Sequence, residues 1–81
     1  MEAKAVIREF LLTKVLKGGA LRDDESFWET RAIDSLGILR LIAFLEDTFK
    51  IKVPGRDVTA ETFSSIDSVH RYLAGRLASK S

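Results

Sequence analysis

The chain has no cysteine, and that absence removes more chemistry than any other feature of it. Without thiols there is no disulfide framework, no thiolate zinc site and no sulfur nucleophile. Proline occurs once, at Pro54, and histidine once, at His70. No apolar run approaches the length of a membrane span. Met1-Glu2-Ala3-Lys4 leads straight into an amphipathic pattern with no apolar leader, so the expected compartment is the cytoplasm. An excess of one charge is missing as well: 13 basic against 12 acidic side chains leave +1. The basic residues are interleaved with acids rather than gathered, which argues against a nucleic-acid partner.

What is present is 81 residues, 46% of them hydrophobic. That suffices for one small domain, residues 1–81, but not for a core and a large enclosed active site together. Ser79-Lys80-Ser81 reads as a polar, disordered tail. No internal repeat or other low-complexity segment is visible.

Ala3, Val6, Ile7, Phe10 and Leu11 recur at helical spacing, with Leu12, Val15 and Leu16 widening the stripe; this predicts a helix from Ala3 to Lys17. Gly18-Gly19 ends it. A connection of about 16 residues follows, from Gly18 to Ile33, long for a domain of this size. Its apolar residues Leu21, Phe27, Trp28 and Ile33 are expected to pin it over the core. Asp34 is placed to cap a second helix over Ser35 to Lys50. Ile38, Leu41, Ile42, Leu45 and Phe49 form its core face, while Leu36, Leu39 and Ala43 form a flanking strip left for a partner or cargo. Leu39 has burial under the long connection as its plain alternative. Pro54 and Gly55 then break the helix. Arg56 to Thr62 suits one irregular helical turn. Ser65 to Asp67 can cap a last helix over Ile66 to Leu77, with Ile66, Val69, Leu73 and Leu77 on one stripe joined by Tyr72. Only Ile51-Lys52-Val53 hints at a strand. The expected fold is all-α: a small bundle of three main helices and a short fourth, with a long loop between helices one and two.

Chemistry concentrates at Ile33-Asp34-Ser35-Leu36-Gly37. A serine at a helix mouth, in a chain with one histidine, lacks the base that nucleophilic catalysis needs. His70 falls mid-way along the last helix, on its polar, exposed side. Ser35 therefore reads as an attachment point rather than a nucleophile; the plain alternative is an ordinary first-turn serine. Asp23-Asp24-Glu25 reads as a solvated turn, since consecutive acids cannot converge on one ion. Ile38 and Phe44 could border an apolar pocket or be plain core. Arg71, Arg76 and Lys80 suit the end of the last helix.

Asp34-Ser35-Leu36, preceded by Phe27-Trp28 and Ile33, resembles the attachment signature of freestanding acyl and peptidyl carrier proteins. The likeness continues through Leu41 to Phe49, then Ile51-Lys52-Val53-Pro54 and Phe63-Ser64-Ser65-Ile66, covering nearly the whole chain. The resemblance implies a 4′-phosphopantetheine arm moved from coenzyme A onto the Ser35 hydroxyl by a phosphopantetheinyl transferase, with Asp34 and Leu36 beside it. Acyl or aminoacyl groups would ride on the arm as thioesters, and the chain itself would not be an enzyme. It further implies a monomer whose partner surface includes Gly37, Leu39, Arg40, Ala43 and Asp47. Many fatty-acid carriers place glycine two residues before the aspartate and acids along helix two. This chain has Ala32 there, after Arg31, and Gly37 and Arg40 in the helix, while Glu46 and Asp47 remain. Those departures point to a specialised pathway, with loading by an adenylating ligase and transfer to downstream acyl-processing enzymes. The alternative is a helical adaptor of the same fold that binds a partner through helix two without an arm.

Overall fold

A computed structural model describes residues 3–15, 22–30 and 33–80. The stop at Gly18-Gly19 and the residues Leu16, Lys17, Leu21, Arg31, Ala32 and Ser81 lie outside the described residues. Helix α1 spans Ala3–Phe10 and runs into a π-helical stretch, Leu11–Val15; α2 is a single turn, Phe27–Thr30. Helix α3 spans Ser35–Phe49, a 3-10 turn covers Gly55–Asp57, and α4 spans Ile66–Lys80. No strand occurs among the described residues, Ile51-Lys52-Val53 included. The fold is all-α, as the periodicity requires.

Each helix is placed by the residues at its ends and along one face. Asp34 is extended and caps α3, its side chain accepting from the Gly37 amide. Lys50 closes α3 in the left-handed conformation, φ 56°, so the helix stops one residue before the expected end. Ser65 caps α4: its hydroxyl accepts from the Ser68 amide at 3.1 Å. The helix then continues to Lys80, past Leu77, so Ser79 and Lys80 are helical rather than part of a tail.

The core is assembled from one face of each element. α1 and the π stretch bury Ile7 and Leu11, α3 buries Ile38, Leu41 and Leu45, and α4 buries Ile66, Val69 and Leu73. Fully burying such a side chain stabilises a fold by about 1.5–3 kcal/mol. Ile42, Phe49, Tyr72 and Leu77 are only partly buried and pack around this centre. Phe10 stacks on Phe44, ring centroids 4.1 Å apart, joining α1 to α3.

Two features of the chain depart from its sequence pattern. Thr13 Oγ1 donates to the Glu9 carbonyl at 2.7 Å, beside the change from α to π geometry. The long connection is also not all loop. Phe27 is fully buried and begins α2, and its amide donates to the Ser64 carbonyl at 2.7 Å. The connection is thus fastened to the segment that leads into α4. Asp23 does more than sit in a solvated turn: it pairs with Lys4 at 3.5 Å and with Arg8, tying the connection to α1. The Arg8 guanidinium holds the Asp23 carboxyl below its ordinary range, and Lys4 is raised chiefly by its hydrogen bond to Asp67.

Candidate functional site

Ser35 is the first residue of α3 and is exposed. Asp34 Oδ1 accepts from the Gly37 amide at 2.8 Å and the Asp34 carbonyl accepts from the Ile38 amide at 3.0 Å. Two amides of the first turn are thereby satisfied by one residue. The Ser35 hydroxyl has no hydrogen-bond partner among the described residues. The helix end places amide hydrogens and the positive end of the helix dipole beside it, a setting that favours an anion such as a phosphodiester.

A groove of about 370 Å³ opens at Ser35. Ile38 and Phe63, both buried, form its floor; Trp28, Leu39, Val58, Thr59 and Ala60 form its sides and rim. None of these lining residues is ionisable. Trp28 Nε1 donates to the Ala60 carbonyl at 3.2 Å, joining α2 to the loop after the 3-10 turn. Thr59 Oγ1 accepts from the Thr62 amide at 3.1 Å and so shapes that loop. Tyr72 fastens the turn just before it, donating to Asp57 at 2.7 Å. Burial, with that hydrogen bond second, pushes the Tyr72 phenol up to about 12.

The residues singled out from the sequence divide clearly. Leu36 and Leu39 are each 61% exposed, so the flanking strip of α3 faces solvent and Leu39 is not buried under the connection. Ala43 and Asp47 are exposed on the same helix. Gly37 is the exception: it is buried against Ile33 and Val15. Arg40 is exposed but reaches back to the Lys14 carbonyl at 3.5 Å, where it caps the end of the π stretch. Glu46 turns inward to accept from the Val53 amide at 2.9 Å. Asp47 lies 4.0 Å from Lys50. Ile38 borders the groove, whereas Phe44 faces α1 and does not. Trp28 is an anchor as expected, and also a groove wall.

His70 is half-buried on α4 rather than exposed, and no hydrogen bond joins it to Ser35. A serine nucleophile with a histidine base is not assembled here. No group of acidic and histidine side chains among the described residues could hold a metal, and no described helix is long and apolar enough to cross a membrane.

Val58, Thr59 and Ala60 carry no signal in the sequence, because their place beside Ser35 depends on the turn at Gly55–Asp57 and on Trp28. Comparison with protein-family models gives no match, and comparison with curated proteins gives none either.

Proposed function

We propose that this protein is a carrier: Ser35 receives a 4′-phosphopantetheine arm from coenzyme A, and acyl or aminoacyl groups travel on the arm as thioesters. The observation that carries the reading is an exposed Ser35 at the capped start of α3, opening onto an uncharged, mainly apolar groove. The bound arm supplies the thiol that the chain lacks. Its phosphodiester suits the end of α3 electrostatically, and Asp34 holds that end rigid through Gly37. The exposed Leu36 and Leu39 form an apolar strip for the enzymes that attach, load and unload the arm. Those enzymes are a phosphopantetheinyl transferase, an adenylating ligase and acyl-processing enzymes of a specialised cytoplasmic pathway, met by a monomer.

Intact mass decides the matter. After incubation with coenzyme A, magnesium and a broad-specificity transferase, the native chain is expected to gain the mass of one phosphopantetheine, and Ser35→Ala none. An unchanged mass for the native chain rejects the carrier.

The same Leu36 and Leu39 strip supports a second reading, an adaptor without an arm. A pull-down lost with Leu36→Asp but kept with Ser35→Ala, in a chain that takes up no arm, would select it.

A further inference from the structure

Ser35 opens onto a groove whose other polar side chains are already paired within the protein. Trp28 Nε1 is given to the Ala60 carbonyl at 3.2 Å. Thr59 uses its hydroxyl twice, accepting from the Thr62 amide at 3.1 Å and donating to the Thr62 hydroxyl at 3.0 Å. The backbone of the same wall is paired too: the Val58 amide donates to the Gly55 carbonyl at 3.0 Å, and the Thr59 carbonyl accepts from the Phe63 amide at 3.1 Å. The rest of the lining is hydrocarbon, from Ile38, Leu39, Val58, Ala60 and Phe63. Trp28, Leu36, Leu39 and Val58 are the large apolar side chains that stand exposed among the described residues. Three of them border this groove and Leu36 follows Ser35.

Such walls reward hydrocarbon and oppose charge. Each methylene that leaves water for the groove tightens binding about fourfold. The volume of about 370 Å³ has room for about a dozen groups the size of a water or a methylene. A charged group finds no side-chain partner there to replace its water, so desolvation opposes its entry in full. A cation is opposed a second time, because the groove opens at the positive end of α3.

We infer that the groove is a site for a neutral hydrocarbon chain, and that the cargo of Ser35 is an uncharged acyl group lying in it rather than an aminoacyl group. That the occupant is a cargo rests on the carrier reading. The groove's preference for uncharged chains does not, so free amides and the unmodified chain test it.

Heptanamide and 6-aminohexanamide have chains of equal length, one ending in a methyl and the other in an ammonium. Each is titrated into the isotope-labelled native chain and followed by NMR at the Trp28 indole N–H and the Ile38 and Val58 methyls. Heptanamide is expected to saturate these signals in the millimolar range. Pentanamide, two methylenes shorter, should bind about fifteenfold more weakly, and 6-aminohexanamide at least about tenfold more weakly. The Phe10 ring, half-buried outside the groove, should not respond. Leu39→Asp, at an exposed position on the groove, should lose the heptanamide response. Equal binding of heptanamide and 6-aminohexanamide overturns the inference. So does heptanamide that leaves Trp28 unmoved or shifts Phe10 as strongly. A response kept in full by Leu39→Asp overturns it as well, by placing the chain elsewhere. Mass analysis of Ser35 tests the arm separately: a native chain that takes up no arm rejects the carrier, whichever amide the groove prefers.

Discussion

Asp34 and Gly37 are bound to each other at the mouth of α3, carboxylate to amide, at 2.8 Å. This contact fixes the direction in which the helix begins, and so the direction in which Ser35 leaves it. Asp34→Ala is expected to cost about 1 kcal/mol by removing the cap, and Asp34→Asn to cost much less because an acceptor remains. Thermal denaturation measures both. If the carrier reading holds, the transferase should modify Asp34→Ala more slowly than the Asn variant.

Gly37 is constrained by space rather than by dihedral angle. A Cβ there would stand 2.7 Å from Ile33 Cγ2 and 3.1 Å from Val15 Cγ1. Ile33 is buried and its branch methyl has little freedom to retreat. Gly37→Ala gains about 1 kcal/mol of helix propensity but meets an overpacking cost of about 1–3 kcal/mol. Net destabilisation of about 1 kcal/mol is expected in a denaturant titration, and a stabilised variant would show that Ile33 can move aside.

Two leucines of α3 should behave oppositely. Leu45 is fully buried, so Leu45→Ala is expected to cost about 2–5 kcal/mol. Leu36 is 61% exposed, and Leu36→Asp should change stability by no more than about 0.5 kcal/mol. If the carrier or the adaptor reading holds, partner binding should in contrast be lost with Leu36→Asp. Denaturation midpoints together with a binding assay separate core from surface.

Tyr72 is the only tyrosine, so its titration can be followed by phenolate absorbance. Its folded value is raised from 10.0 to about 12, by burial first and the Asp57 bond second. A raised value means that the folded state favours the neutral phenol. The resulting stabilisation is complete below pH 10 and is lost as pH rises through about 12. Tyr72→Phe should abolish the absorbance step and flatten that part of the stability profile. A native step near pH 10 would contradict the burial of the phenol.

Sequence patterns reveal what is local. The Asp34 cap, the stripe of Ile66, Val69 and Leu73, and the exposed strip of Leu36, Leu39 and Ala43 each depend on neighbours within one or two turns, and the structure has all of them. α2 left no trace because four residues are too few to show a period. Asp23 looked like part of an acidic run because its partners Lys4 and Arg8 lie on another element. Gly37 suggested an open surface, yet its lack of a side chain is what lets Ile33 and Val15 approach. Ser35 was found by its flanks; the groove beside it was not, since Val58, Thr59 and Ala60 arrive there by tertiary contact.

The loop after the 3-10 turn is fastened by Tyr72 at Asp57 and by Trp28 at Ala60. The chain's sole phenol and sole indole therefore both fasten the start of that loop, at Asp57 and Ala60. Tyrosine emission overlaps tryptophan absorption, so this pair is a built-in energy-transfer ruler at the start of the loop. Transfer efficiency would follow the distance between the α4 and α2 side chains that hold the start of the loop, in a native chain with no dye attached.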